Sequence, residues 1–288
     1  MNVSDFGQCR QQVVLVTGAS SGIGREIAEH LASAGFTVFG TSRTQQDDFG
    51  NSENPVRMLP LDVTDETSVR GCLHIIEQAT SGLTVLVNNA GNGVAGAIED
   101  SSDEEVRWQM ETNFFGVMNV TRNALALMRS RGYGKLITVS SIAAHVGLPF
   151  QGAYSASKSA LEAINQSLRY ELEGSGVQST VICPGDFRTG FTASRKIVRN
   201  ANSDYYGAQF RKTLGIYERD EKNGASPKLI GLLAIKLVTR SRLAPRYFVG
   251  RADQKMAVFI KRWLPALWFE RLARLTFGIS KTSNQHVH

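Results

Sequence analysis

Residues Val13-Val14-Leu15-Val16 form an unbroken apolar, mostly β-branched run with no polar alternation. That pattern suits a strand buried on both faces rather than one with a wet side. Comparable short runs recur at 37–39, 56–61, 83–87, 135–139, 177–183 and 247–249. Between them, 24–34, 66–79, 103–128 and 153–173 repeat apolar positions with helical spacing. Strand alternating with helix predicts an α/β fold: a doubly wound parallel sheet of about seven strands, with helices on both faces. In such a sheet ligands bind outside the carboxyl ends of the strands, so residues just after each run are the site candidates.

Directly after the first run comes Thr17-Gly18-Ala19-Ser20-Ser21-Gly22-Ile23-Gly24, opening a helix. Gly18 permits a tight turn, Gly22 lets backbone N–H groups approach a pyrophosphate, and Gly24 allows close helix–strand packing. Three residues separate Gly18 from Gly22, which departs from the G-x-G-x-x-G fingerprint. The second run continues Gly40-Thr41-Ser42-Arg43. A carboxylate there would hold a free ribose and repel a 2′-phosphate, whereas Arg43 can bind that phosphate, so NADP(H) is favoured over NAD(H).

Tyr154-Ser155-Ala156-Ser157-Lys158 opens a helical stretch and places Tyr154 and Lys158 on one face. A phenol with a pKa near ~10 is too weak an acid to be a base at neutral pH. A neighbouring ammonium and a bound nicotinamide cation would bring it toward the working range.

The turn, Asp62-Val63, Asn88-Asn89-Ala90-Gly91 and the YSASK string, in that order beside the strand ends, resemble the short-chain dehydrogenase/reductase family over about 13–190. The resemblance implies a Rossmann fold and a nicotinamide-dependent enzyme acting on CH–OH groups, with transfer of the pro-S hydride. It places Asp62 and Val63 at the adenine and Asn89, Ala90 and Gly91 beside the cofactor. It further implies that Ser141, thirteen positions before Tyr154, holds the substrate oxygen, with Ser140 the second choice, and that Asn113 positions a water near Lys158. Pro184, Gly185, Phe187 and Thr189 resemble the motif that orients the carboxamide. Around Tyr154 the string Gly147-Leu148-Pro149-Phe150 is most like the 17β-hydroxysteroid and retinol dehydrogenase branch. With Val146, Val94 and Phe187 it suggests an apolar wall and a small lipophilic ketone, aldehyde or alcohol, steroid-, retinoid- or acyl-chain-like. His145 reads as structural.

A length of 288 residues with 42% hydrophobic content suits one unit over 1–288: a nucleotide part at about 11–190, a loop or lid at about 188–225 and a helical extension at about 252–280. Cys9, Cys72 and Cys183 have no paired spacing, so they read as reduced thiols, with no metal site. The polar stretch 1–10 is no secretion signal and no apolar run reaches the ~20 residues of a membrane span. A cytoplasmic protein is expected, a homodimer or homotetramer through the helices at 103–128 and 153–173. The net charge of +6 comes with no recognisable nucleic-acid module, so no nucleic-acid partner is expected. Beyond the last run, Leu264, Leu267, Trp268, Leu272 and Leu275 share a helical face amid basic residues. Burial against the pocket or another subunit is the first reading and peripheral membrane contact the second. The alternative outside catalysis is a redox sensor that binds NADP(H) without turnover.

Overall fold

The computed structural model describes residues 12–279; Cys9, the stretch 1–10 and residue 280 lie outside the described residues. The chain runs β1 (Val13–Val16), α1 (Gly22–Ser33), β2 (Thr37–Ser42), β3 (Phe49–Gly50), β4 (Pro55–Pro60), α2 (Glu66–Ala79), β5 (Val85–Asn88), β6 (Val94–Ala95) and α3 (Asp103–Met110). A π-helical segment (Glu111–Gly116), α4 (Val117–Arg131), β7 (Gly134–Val139), a 3₁₀ turn (Ile142–Ala144), α5 (Gly152–Glu171) and β8 (Val177–Pro184) follow. The remainder is α6 (Phe191–Ser194), β9 (Lys196–Ile197), α7 (Gly207–Lys222), α8 (Lys228–Thr239), β10 (Arg246–Val249), α9 (Ala252–Trp263) and α10 (Ala266–Thr276).

The eight-stranded sheet has the order β10-β8-β7-β5-β1-β2-β4-β3 and is parallel except for β3, which pairs antiparallel with β4. Each of the seven apolar runs is a strand of it, and β3 is one that the hydrophobic pattern does not reveal. Alternate residues of β1 explain the two layers. Val14 and Val16 pack with Ile27 and Leu31 of α1 and Ile230 and Leu237 of α8. Val13 and Leu15 pack on the other face with Val69 and Ile76 of α2 and Val120 and Met128 of α4. Every residue of β1 is buried, so a one-face strand pattern would not have served.

After β4 the chain crosses to the far side of β1 to form β5. The strand order therefore reverses between β1 and β5, where a crevice opens at their carboxyl ends. Thr17 stitches that gap: its N–H donates to the Val87 carbonyl at 3.0 Å, and its Oγ1 accepts from Asn89 N at 2.9 Å and Ala90 N at 3.0 Å.

One expectation changes. The helix expected over 103–128 is instead α3 and α4 joined by a π-helical bulge, with Asn113 buried inside it. Gly116 sits so close to Val63 that a Cβ would meet its Cγ2 at 2.6 Å, and such bulges re-aim residues at functional sites. The stretch 188–225, expected as a loop or lid, carries α6, β9 and α7: β9 pairs with β6 in a separate two-stranded sheet, and α7 packs through Phe210 onto Val94 and Val198. No helix among the described residues is long and apolar enough to cross a membrane.

Candidate active site

One cavity of about 1100 Å³ lies at the switch point and extends under α7 and α9. Gly18, Ser20, Ser21, Gly22 and Ile23 line it, as do Ser42, Arg43, Asp62, Val63, Asn89, Ala90 and Gly91. So do Ser141, Tyr154, Lys158, Pro184, Gly185, Phe187 and Thr189, while Gly24 and Asn113, of the residues expected to serve catalysis or the cofactor, lie behind its wall.

The glycines of the turn are there for lack of room and for backbone sign. Gly18 and Gly22 have φ of +66° and +56°, in the region that favours glycine. A Cβ on Gly18 would lie 2.9 Å from Ala90 Cα, and one on Gly24 would lie 2.3 Å from both Asn89 Nδ2 and the Gly18 oxygen. Asn89 bolts the turn shut, its Nδ2 donating to the Thr17 and Gly18 carbonyls at 3.0 Å each. Helix α1 begins at this turn with no side-chain cap from Ser21 and no acidic residue in its first turn. Its free N–H groups and positive dipole end face the cavity, which fits a pyrophosphate. Exposed Arg43 directly follows β2 beside it, and Asp62, after β4, accepts from Thr64 N and Oγ1 at 2.9 and 2.7 Å.

Tyr154 and Lys158 lie one turn apart on α5, with Lys158 Nζ 5.8 Å from the Tyr154 ring centre. Lys158 Nζ donates to the Val139 carbonyl at the end of β7, at 3.0 Å. Burial pushes its pKa down to about 8. The Tyr154 phenol is pushed up to about 12, because burial outweighs the hydrogen bond to Ser141 and the Arg195 charge. Desolvation in a buried site favours both neutral forms. Ser141 is the serine bonded to Tyr154, and its Oγ also accepts from Ala143 N at 3.1 Å. Ser140 turns instead toward the Lys158 carbonyl at 3.4 Å.

Asn113 is fully buried behind the cavity wall. Its Oδ1 accepts from Asn92 N at 2.8 Å, while its Nδ2 donates to the Asn92 carbonyl and to Ser157 Oγ at 3.0 and 3.1 Å. The side chain thus clamps the segment after β5 onto α5, next to Gly91, which is flanked by both Asn113 Oδ1 and Lys158 Nζ.

The apolar wall is partly as read. Val146, Leu148 and Phe187 line the cavity, whereas Val94 and Phe150 pack away from it against Phe210. Phe150 holds a positive φ of 59° in doing so. Several lining residues carry no sequence signal: Trp108, Arg195, Tyr217, Glu221, Gln254 and Phe277 come from elements far apart in the chain. His145 is tied into a buried cluster, its Nε2 3.5 Å from Glu162, which accepts from the Cys183 thiol at 3.0 Å and pairs with Arg246 at 3.2 Å. Burial works against the Glu162 charge, yet hydrogen bonds from His145 and Cys183 hold its pKa below the usual range. His145, Glu162 and Cys183 could together ligate a metal ion, a grouping that the chain's spacing conceals. Free Cys72 and Cys183 are both buried.

Among the described residues α9 and α10 contribute none to the core, and Leu267, Trp268 and Leu275 are 71%, 61% and 78% exposed.

A sequence profile of the short chain dehydrogenase family matches residues 12–199. The 3-ketodihydrosphingosine reductase of Bacteroides thetaiotaomicron is 40% identical, with 93% of this chain and 98% of that protein aligned. The NADPH-dependent 3-dehydrocapnine reductase of Ornithobacterium rhinotracheale is 33% identical over 91% of this chain and 98% of its own. A solved short-chain dehydrogenase from Streptomyces avermitilis superposes with a TM-score of 0.76 at 28% identity, covering 95% of this chain and 100% of that one.

Proposed function

Because this chain belongs to the short-chain dehydrogenase family, we propose that it is an NADP(H)-dependent oxidoreductase that reduces a lipophilic, long-chain ketone to its secondary alcohol. The carrying observation is the meeting of Ser141, Tyr154 and Lys158 with the glycine turn in one cavity. Arg43 directly after β2, where a carboxylate would refuse a 2′-phosphate, supports NADP(H). Acyl-chain ketones are preferred over steroids and retinoids because two relatives that align over nearly their whole length are named as reductases of ketodihydrosphingosine and dehydrocapnine.

Pro184, Gly185, Phe187 and Thr189 would hold a nicotinamide at this cavity, where it would supply the hydride to the carbonyl carbon. Ser141 holds the carbonyl oxygen by hydrogen bonding, stabilising the charge that develops there. Tyr154 gives that oxygen the proton, completing the alcohol, and its phenolate is reprotonated from solvent past Lys158. A phenol held at about 12 is protonated at neutral pH, the state that reduction requires. Asn89 and Asn113 keep the two walls in register. A redox sensor without turnover is the alternative, and the intact Tyr154 and Lys158 pair argues against it.

Exposed Met256, Phe259, Trp263, Leu267 and Trp268 beside Lys255, Lys261, Arg262 and Arg271 suit an anionic membrane surface, and α9 and α10 also contribute Ala257 and Thr276 to the cavity wall. A cytoplasmic chain resting on a membrane would meet a lipid substrate there. Exposed Phe115 and Tyr170 lie on the faces expected to pair two or four copies. The test is NADPH consumption with long-chain ketones. Tyr154→Phe should lower kcat by at least about a thousandfold while nucleotide affinity stays within about threefold; retained turnover defeats the mechanism.

A further inference from the structure

Arg195 leaves the end of α6, and Glu221 sits on the last turn of α7. Arg195 Nη2 donates to Glu221 Oε1, with the two side chains 2% and 14% exposed. Buried ion pairs ordinarily complete the rest of their hydrogen bonds, since stranded polar atoms are costly. This pair does not. Arg195 Nε and Nη1 and Glu221 Oε2 are buried without a hydrogen-bond partner. Both residues line the cavity that Tyr154 lines.

The Phe191 ring links the pair to the reacting group. The Arg195 guanidinium lies 5.8 Å from the Phe191 ring centre, which is 5.7 Å from that of Tyr154. The charges of Arg195 and Glu221 both act on the Tyr154 phenol, in opposite directions. Neighbouring polar groups are already engaged: Tyr217 Oη donates to the Pro149 carbonyl at 3.0 Å, Gln254 donates to Asp186, and Arg251 pairs with Asp253 at 2.7 Å. Asp186, Asp220, Glu221 and Asp253 outnumber Arg195 and Arg251 on this wall, which makes it attractive to a cation.

We propose that Arg195 and Glu221 clamp the polar head of the substrate, Arg195 Nε and Nη1 donating to a hydroxyl or other acceptor and Glu221 Oε2 accepting from a primary ammonium. The preferred substrate is then a long-chain ketone carrying an amine on the carbon next to the carbonyl and a hydroxyl one carbon further along. This rests on the reading above that the chain reduces lipophilic ketones, and it assigns the head-group specificity that a purely apolar pocket could not provide. A site built to hydrogen-bond a head group discriminates strongly against the analogue that lacks it, because its own polar atoms are then left unpaired.

Two probes test it: a long-chain ketone with an α-amino and a β-hydroxyl group, and the same ketone lacking both. The wild-type chain with NADPH should favour the first by about a hundredfold in kcat/KM. Glu221→Gln should cut that ratio about tenfold, chiefly through KM, and the neutral double variant Arg195→Met with Glu221→Gln should bring it near unity. The double variant leaves no charge buried alone, and NADPH fluorescence checks that it is folded. As a readout on unaltered protein, the free-amine product alcohol should inhibit at least about tenfold better than its N-acetyl form. A wild-type ratio near unity, equal inhibition by the two alcohols, or variants that slow both ketones alike would overturn the clamp and leave the parent reading standing. Reduction of neither ketone would overturn that reading and the clamp with it.

Discussion

Replacing Gly24 with alanine tests the phosphate cradle more sharply than any charge change. The new methyl would stand 2.3 Å from Asn89 Nδ2 and from the Gly18 oxygen, more than an ångström short of ordinary contact. Neither neighbour is a flexible chain end: one is backbone, and the other donates at 3.0 Å to the Thr17 and Gly18 carbonyls. Parting them breaks both hydrogen bonds, at about 1 kcal/mol each, so the free protein loses about 2 kcal/mol. For a domain of this size that lowers Tm by roughly 5 °C. The same displacement turns the first N–H groups of α1 from their anion, and losing two charge-assisted bonds weakens NADPH binding by about a hundredfold or more. Differential scanning fluorimetry and NADPH fluorescence titration read the two effects. Gly71→Ala is the control: this exposed glycine in α2 has nothing within 4 Å of a new Cβ. It should stabilise by about 0.5–1 kcal/mol without touching affinity. If Gly24→Ala melts at the wild-type temperature and binds NADPH within about threefold of wild type, the cradle is not built as described.

Arg43→Asp should reduce the NADPH to NADH selectivity ratio about a hundredfold; an unchanged ratio removes the NADP(H) assignment. In a difference titration against Tyr154→Phe, the Tyr154 phenolate should form only near pH 12 in the free protein. Since a cation favours phenolate, NADP⁺ should lower that midpoint and NADPH should not; a free-protein midpoint at or below the ordinary ~10 contradicts the burial argument. Burial pushes the Cys72 thiol up to about 12 and the Cys183 thiol up as well, so both stay protonated where an ordinary thiol ionises. In a Cys9→Ser background, iodoacetamide at about pH 9 should label neither until urea unfolds the chain; prompt native labelling counts against their burial. Deleting residues after Arg262 should remove sedimentation with anionic liposomes, and undiminished lipid binding would reject the membrane face.

Local chemistry made much of this molecule readable from its amino-acid order. The unalternating Val13–Val16 run demands two apolar layers, and a parallel sheet with helices on both faces is how a chain provides them. Gly18, Gly22 and Gly24 declare a turn that other residues cannot adopt, while Tyr154 and Lys158 lie on one helical face through their spacing alone. What stayed hidden depends on contacts between distant segments. The π bulge at Asn113 arises where Gly116 meets Val63, and the fate of Phe150 is decided by Phe210, sixty residues further along. The high phenol of Tyr154 follows from how much water the folded walls exclude, which no pair of residues encodes. Arg195 and Glu221 look like any other lid charges until α6 and α7 bring them under one roof. Backbone geometry and periodicity are properties of neighbours in the chain; desolvation and the pairing of remote charges exist only once the layers have closed.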